Sequence, residues 1–499
     1  MIRKKVLLIL ALTTAASIAF SVTACVASNN QTTDTSDTTA DTTISVVTGE
    51  DITNSNDGEH AIEVSGNTAE YSNIKVTKTG DSASGDEADF YGENSAIFAT
   101  DGATLTLTDI VVDTNGTHAN AVFSYGNGTT VNISNSKITT SGNCSGGLMT
   151  TGGGTMNASN LDIHTTGNSS AAIRSDRGGG TVNVDGGTYV TDGKGSPAIY
   201  STADITVSNA ALESTQSEGV VVEGKNSVTL NDVDLTANNT THNSDKSITY
   251  NAVMIYQSMS GDASVGLAKF TMTGGSITNK NGDVFFVNNT ATTITLENVK
   301  IINQDADGVF LRAAAAGWGS EGSNGGKVNL YLKNQTLTGD IVVDKVSALN
   351  MYMSSGTTYT GAVNSDNAGE VYVEIEKGSK WVLTGDSYIS SLTCDADAIG
   401  LNGHKLYVNG TEYVAGTTST GTALEIATEA SSSGQPDGMP GEPPSGDPPS
   451  GGPGGNGTPP SGEKPSGNPP GDPPSGDPPS GGPGGNGGEP PAKPSETTT

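Results

Sequence analysis

The sequence predicts an all-β protein that folds as a parallel β-helix, and three observations lead to this fold class. A template of two alternating apolar residues recurs along the middle of the chain, followed two positions later by Asn, Asp or Gly. Most copies begin 23 to 26 residues after the previous one, a period typical of solenoids. The apolar residues alternate with period two, as in strands, and lack the spacing of three and four that a helix requires.

Each repeat contains three short strands. In one copy, Leu105 and Leu107 are the inward residues of the first strand. Asp109 then marks a tight corner, and Val112 is the inward residue of the second strand. Asn, Asp and Gly tolerate the left-handed backbone conformation, so this column predicts one sharp corner in every coil. A third strand precedes the next copy, with its inward residues expected at Val122, Leu148, Ile173, Ile199, Val220, Phe285 and Val309.

This pattern resembles the right-handed parallel β-helix of the pectate-lyase-like superfamily over roughly residues 60 to 315. In that superfamily one corner of the coil often carries a stacked asparagine ladder. The resemblance implies the fold and a structural ladder, but no activity, because this fold hosts lyases, hydrolases, adhesins and binding modules. The ladder positions that match are Asn73, Asp109, Asn135, Asn160, Asn209, Asp232 and Asn298.

Composition divides the chain into five segments. The last segment holds twenty of the 21 prolines and repeats a Pro/Gly-rich block, so we expect it to be disordered. The second segment is rich in Ser, Thr and Asp and has little apolar periodicity, which is typical of a flexible tether. The predicted segments are a signal peptide (1–24), a tether (25–58), β-helix coils (59–315), further β coils with a cap (316–428) and a disordered tail (429–499).

The N-terminal residues predict export. Arg3, Lys4 and Lys5 precede an apolar run that is too short for a good membrane span, as in a secretory signal. The run ends at Ala24 and Cys25, and this end resembles the lipobox of bacterial lipoproteins. The resemblance implies a lipid on Cys25 that anchors the protein to the outer face of the bacterial cytoplasmic membrane or cell envelope.

The formal charge of −31 limits the classes of partner. Such a chain repels nucleic acid and anionic lipid headgroups, so we expect no nucleic-acid partner and a membrane contact through the lipid alone. A polyanionic glycan would need bridging cations. No certain cofactor is predicted, although the acids at Asp232 and Asp234, or at Asp305 and Asp307, would suit calcium if loops converged there.

The outward side of the third strand carries an unusual share of large side chains. Aromatic residues make up only 5% of the chain, yet four of seven outward positions are aromatic. Stacked coils would align these residues every 4.8 Å or so, close to the rise of an extended sugar chain. Two long repeats also place loops, 81–94 and 238–251, at the corner before this strand. We call these residues the third-strand strip: Phe123, Met149, Arg174, Tyr200, Val221, Phe286 and Phe310.

A second outward column is polar and belongs to the first strand. Regular threonine columns resemble those of β-helical ice-binding proteins, but three asparagines interrupt this one. Threonine is also an ordinary residue of exposed strands. We call this column the first-strand row: Thr106, Asn132, Asn157, Asn183, Thr206, Thr229, Thr271 and Thr295.

Few residues suggest catalysis or a bound metal. Arg174, Asp176 and Arg177 form the best local candidate for a lyase-type centre, with Arg174 pointing outward. The five histidines show no ligand spacing typical of zinc, so we expect no zinc site, and no metal is assigned from the sequence. Cys144 and Cys394 lie about ten coils apart, too far for a disulfide, and we expect two small buried thiols.

The sequence therefore predicts a lipid-anchored surface β-helix that binds a polysaccharide or cell-surface glycan without catalysis, like an adhesin. A polysaccharide lyase or hydrolase of the same fold is one alternative. A structural spacer that binds protein is the other. Acids clustered around a basic residue in a groove would favour the enzyme, a bare aromatic strip would favour glycan binding, and a covered strip would favour the spacer.

Overall fold

A computed structural model describes residues 45–242 and 244–427. In this part of the chain there are forty strands and one helix. The predicted signal peptide, the lipidation site Cys25 and the tail from 429 lie outside the described residues. Because the first strand begins at Ser45, the coils start within the segment predicted as a tether and before the expected boundary at residue 59.

The elements of the first half are β1 (Ser45–Thr48), β2 (Asp51–Asn54), β3 (Ile62–Ser65), β4 (Thr68–Ser72), β5 (Lys75–Lys78), α1 (Asp86–Tyr91), β6 (Ile97–Thr100), β7 (Thr104–Thr108), β8 (Val111–Thr114), β9 (Val122–Tyr125), β10 (Thr130–Ser134), β11 (Lys137–Thr140), β12 (Leu148–Thr151), β13 (Gly154–Thr165), β14 (Ile173–Ser175), β15 (Gly180–Thr191), β16 (Ile199–Ser201), β17 (Asp204–Ser208), β18 (Ala211–Ser214), β19 (Val220–Glu223), β20 (Ser227–Asn231) and β21 (Asp234–Ala237).

The second half continues with β22 (Asn251–Tyr256), β23 (Leu267–Thr273), β24 (Ser276–Asn279), β25 (Asp283–Asn288), β26 (Thr290–Glu297), β27 (Lys300–Asn303), β28 (Leu311–Ala313), β29 (Gly326–Lys333), β30 (Thr336–Thr338), β31 (Ile341–Val343), β32 (Ala348–Ser354), β33 (Thr358–Thr360), β34 (Glu370–Ile375), β35 (Lys380–Val382), β36 (Ser387–Ile389), β37 (Ser391–Cys394), β38 (Ile399–Gly400), β39 (Leu406–Val408) and β40 (Thr411–Glu412).

The strands stack in columns, as a parallel β-helix requires, and the predicted fold class is confirmed. First and second strands of successive coils form a 22-stranded sheet, and in β13 and β15 one continuous strand turns the corner between them. Third strands form an 11-stranded sheet that runs from β3 to β31. The pairing is parallel throughout these two sheets, in register with the predicted template, so that Leu105 lies opposite Val131 and Val131 lies opposite Met156.

The core is a narrow column of inward side chains that continues from coil to coil. Alternation along many of the first and second strands buries every second residue, as in β7, where Leu105 and Leu107 are fully buried and the threonines are half-buried. Larger side chains fill the interior towards the C-terminal end, including Phe270, Phe285 and Trp381. Stability therefore arises from contacts between neighbouring coils.

All seven predicted ladder residues adopt the left-handed conformation, with φ between 50° and 56°. Gly186 and Gly274 occupy the same corner in their coils, also with positive φ. Within this set, Asn160 donates from Nδ2 to Oδ1 of Asn135 at 2.9 Å. That hydrogen bond is exposed, so the corner contributes chiefly through its backbone conformation rather than through a buried ladder.

The register corrects one predicted coil. Phe285 pairs with Leu311, which makes Leu311 the inward third-strand residue in place of Val309. Arg312 is consequently the outward residue, and Phe310 lies in the interior, packed against Phe285 with 5.6 Å between ring centroids. The alternation was extrapolated from earlier coils, but the segment before β28 turns into the core two residues later than the template requires.

Candidate functional site

The third-strand strip is aligned as predicted but is not a free surface. Register places Phe98, Phe123, Met149, Arg174 and Tyr200 opposite one another in successive coils. The side chains of Phe123, Met149 and Phe286 have no exposed area, and Val221 is only 5% exposed. A sugar chain would therefore meet other parts of the same protein at this face.

The loop predicted at 81–94 covers the N-terminal half of the strip. The loop contains α1, in which the Phe90 side chain is buried. The backbone carbonyl of Phe90 accepts a hydrogen bond from the Thr151 hydroxyl at 2.7 Å. Gly92 ends the helix with φ 83° and lies directly on the strip. A Cβ at Gly92 would stand 2.3 Å from the Phe98 ring and 3.2 Å from the Phe123 ring. The cover therefore fits too closely for any side chain at this position.

A second cover lies over the C-terminal half. Trp318, in the segment between β28 and β29, is 9% exposed and packs edge-on against Tyr256 with centroids 5.1 Å apart. It forms one apolar cluster with Val221, Met254 and Phe286. Two covers from distant parts of the chain thus bury the strip from Phe98 to Phe286.

Arg174 lies between two carboxylates beneath the first cover. Its Nη2 atom is 3.1 Å from Oδ2 of Asp89, which belongs to α1, and 2.7 Å from Oδ2 of Asp176. The Arg174 side chain is only 14% exposed, and the two acids are less exposed still. Of the predicted catalytic candidates, Arg174 and Asp176 are thus brought together, but in an enclosed ion cluster rather than in a groove.

Burial shapes the ionisation of this cluster. Burial raises the pKa of Asp176 to about 7, although Arg174 partly opposes the shift. Burial also disfavours ionised Asp89, but Arg174 and the contacts from His118 and Asn120 outweigh it and lower the pKa of Asp89. Asp89 is therefore the permanent counter-ion of Arg174, and Asp176 is the acid that titrates near neutrality.

Arg177 does not join this cluster. Its Nη2 atom lies 3.1 Å from Oδ1 of Asp262, and its guanidinium group stacks 4.0 Å above the ring of Phe90. Arg177 thereby ties α1 to the segment between β22 and β23. Both contacts are structural, since they hold the cover against the coils.

Asp89 and Glu223 are among the buried acids that were missed in the sequence. Asp89 lies in a long loop and no pattern marks it. Glu223 is 1% exposed and accepts hydrogen bonds from the hydroxyl groups of Tyr200 at 2.5 Å and Tyr256 at 3.0 Å. One signal was available for Glu223, because it is the last residue of β19 and follows three valines in that strand.

The first-strand row, in contrast, lies open along its sheet. Its members are half-buried or exposed, as expected for short side chains on a strand surface. Around Thr106 to Thr206 the row forms the floor of an open groove of about 600 Å³. Serine and acidic side chains border the groove towards the corner: Ser134, Ser159, Asp185 and Ser208. On the other side of the corner, a second groove of about 450 Å³ follows the second strands.

Side-chain amides connect the coils within the first groove. Asn157 donates to Asn132, and Asn183 donates to Asn157, each over 3.0 Å between Nδ2 and Oδ1. In this run of three amides, the nitrogen of Asn132 at one end and the oxygen of Asn183 at the other take no part in these two bonds. Fixed amides at regular spacing present both donors and acceptors, which suits a ligand that is rich in hydroxyl groups.

Two of the acids that the sequence suggested for calcium, Asp234 and Asp305, accept hydrogen bonds from other groups of the protein. Asp305 accepts backbone hydrogen bonds from Gly282 at 2.7 Å and Asp307 at 2.9 Å, and these bonds lower its pKa. Asp234 accepts a hydrogen bond from the Ser276 hydroxyl at 2.6 Å. The structure gives these carboxylates roles in turn and coil contacts.

Comparison with known protein families found no matching family model, and comparison with curated proteins found no match. Among the described residues, no helix is both long and apolar enough to cross a membrane.

Proposed function

We propose that this protein is an exported surface β-helix that binds an extended, neutral glycan along the groove of the first-strand row, without catalysis. The observation that carries the proposal is the open groove floored by Thr106, Asn132, Asn157, Asn183 and Thr206. Its residues repeat at the coil spacing of about 4.8 Å, near the length of one sugar in an extended chain. The charge of −31 favours a neutral over an acidic glycan.

The glycan face proposed here differs from the one that the sequence suggested. The third-strand strip would offer aromatic rings to sugars, but two separate segments cover it, one around α1 and one around Trp318. Half-buried aromatics do occur in the first-strand column at Tyr331 and Tyr352, whose rings stack on each other with centroids 4.7 Å apart. This stacking occupies one face of each ring.

One observation favours the structural spacer as a second candidate. The large side chains of the covered strip pack against loops of the same protein. A spacer needs only stacked coils and an anchor, and it predicts that no glycan binds.

The lyase alternative has weaker support. Membership of the pectate-lyase-like superfamily is part of this proposal, and a lyase needs a base that reaches its substrate. Arg174 has the expected acids beside it, yet it is enclosed beneath α1 and paired with Asp89 and Asp176. An active lyase would require α1 to open.

A glycan array probed with the full chain, with and without calcium, tests the proposal. In a triple variant, Asn132→Thr, Asn157→Thr and Asn183→Thr, the amides are lost but strand-forming residues like those of neighbouring coils remain. We expect at least a tenfold loss of affinity, since two or more hydrogen bonds worth about 1 kcal/mol each disappear.

The matched control lies in the same row outside the groove. Thr271→Asn with Thr295→Asn changes the row by the reverse substitution and should leave affinity unchanged. Equal binding by the triple variant and the parent would refute the groove as the site. Failure of the parent to bind any glycan would leave the spacer as the better account, and formation of unsaturated sugar products would favour the lyase.

The location rests on Cys25, which lies outside the described residues. As part of the proposal, a lipid on Cys25 holds the protein at the outer face of the membrane or cell envelope. Cys25→Ala should move the protein from the membrane fraction to the soluble fraction or the medium. Unchanged detergent partitioning of this variant would argue against lipidation at this residue.

A further inference from the structure

Three residues of metal-binding type meet beneath the first cover of the third-strand strip. Asp89 of α1, His118 and Cys144 each offer one ligand atom, and these atoms lie within 4.8 Å of one another. They are 29 and 26 residues apart along the chain, so only the stacking of coils and the docking of α1 unite them. We propose that Asp89, His118 and Cys144 bind a thiolate-preferring divalent cation, of which Zn²⁺ is the best fit.

The backbone at two of these residues supports a role for their side chains. His118 and Cys144 occupy the same corner of consecutive coils, since each donates its N–H to the residue before the next corner, Asn143 and Asn168. Both adopt the left-handed conformation, with φ 57° and 54°. This conformation costs ordinary residues about 1 kcal/mol and is usually given to Gly or Asn. The chain places a histidine and a cysteine there instead.

The histidine nitrogen is the second, independent observation. Nδ1 of His118 is buried without a hydrogen bond of adequate geometry, in a side chain that is 9% exposed. It lies 3.2 Å from Oδ1 of Asp89. Ligand atoms of a tetrahedral zinc site, with bonds of about 2.0–2.3 Å, lie roughly 3.3–3.6 Å apart. The histidine and the aspartate are therefore already spaced as two ligands, and the Cys144 sulfur lies within 4.8 Å of both.

Neighbouring groups hold the aspartate as outer-sphere partners do in metal sites. Arg174 donates to Oδ2 of Asp89, and Asn120 donates to Oδ1 at 3.0 Å. These contacts fix the carboxylate, and its Oδ1 atom lies 3.2 Å from Nδ1 of His118. Cys144 is half-buried, so solvent can reach the site and occupy a fourth position.

Charge balance favours a dication. Arg174 offsets the charge of Asp89, so a Cys144 thiolate would leave the site with a net negative charge. A divalent cation would offset this charge. On binding, the thiol would release its proton to solvent, with no change of oxidation state.

Cobalt(II) titration of the full chain carrying Cys25→Ser tests the site, because Co²⁺ reports a thiolate ligand by a charge-transfer band. We expect this band with one equivalent bound, displacement by Zn²⁺, and release of about one proton per metal. Zn²⁺ should also raise the melting temperature. Cys144→Ser should abolish the band, and His118→Asn should weaken binding at least tenfold.

These variants are chosen to fold. Ser169 occupies the corner of the next coil with φ 54°, so serine is accepted at this position, and asparagine tolerates it as well. Equal melting temperatures of metal-free parent and variants verify this. Cys394→Ser is the matched control and should keep the band. No thiolate band in the parent, or an unchanged band in Cys144→Ser, would overturn the proposal.

Discussion

The third-strand strip and the first-strand row follow the same stack of coils, yet one is buried and the other is open. The strip carries Phe123, Met149 and Phe286, and each of these has a cover from another part of the chain. The row carries threonine and asparagine, and its three asparagines bond to one another from coil to coil. Large outward residues on a solenoid thus signal a cover, and short polar columns signal a free face.

The substitution with the largest expected effect on stability is Phe123→Ala. The ring is fully buried between Phe98 and the cover, so its loss should destabilise the protein by about 3–5 kcal/mol. Chemical denaturation measures this change. The matched control Thr229→Ala, in the first-strand row, should change stability by no more than about 0.5 kcal/mol. Similar costs at both positions would mean that the cover is not closed in solution.

The second test uses pH and the ion cluster beneath the cover. The pKa of Asp176 is raised to about 7 in the folded state, so the folded protein holds a proton that the unfolded chain loses near pH 4. Stability should therefore fall as pH rises from about 4 to about 7. Asp176→Asn should flatten this part of the profile. Above pH 7 it should increase the free energy of unfolding by an amount on the order of a few kcal/mol, measured by chemical denaturation.

The corner of the coil provides a smaller effect. Asn135→Val should cost about 1–2 kcal/mol, because a β-branched residue resists the left-handed conformation with φ 50°. The exposed bond to Asn160 adds little. Asn135→Gly retains that conformation and serves as the control, with a change of a few tenths of a kcal/mol at most. An unaltered melting temperature in Asn135→Val would remove the corner from the account of stability.

The smallest expected effect on stability lies in the open groove. Asn157→Thr removes two side-chain amide hydrogen bonds, one part-buried and one exposed, but adds a good strand former, so the two contributions should nearly cancel, within about 0.5 kcal/mol. Its effect should appear in glycan affinity instead. Early melting of this variant would show that the row is a packing element like the strip.

Sequence predicted the fold from local signals, and it succeeded where one coil repeats the last. The corner column from Asn73 to Asn298 needs only a tolerance for positive φ, which is a property of each residue by itself. The position of Phe310 was wrong because the segment before β28 breaks the repeat, and alternation alone does not reveal a shift by two residues.

The candidate site was less predictable because its partners are distant. Arg174 was named from its outward position, but Asp89 lies 85 residues earlier in an inserted loop. Whether the strip is covered depends on the docking of α1 and Trp318, and neither carries a repeat signal. Cys144 was expected to be buried and is half-buried, since it stands on a corner rather than on a strand.

The parallel register has a mechanical consequence. Because the parallel strand ladders join each coil only to its two neighbours, a force applied between residues 45 and 427 loads the outermost coil first. That coil peels away before the next is strained. A coil of 26 residues, such as the one from Leu105 to Val131, would lengthen by roughly 80 Å when extended. Stretching one molecule should therefore give a staircase of similar steps rather than a single rupture, with the steps nearest the two covers requiring the most force.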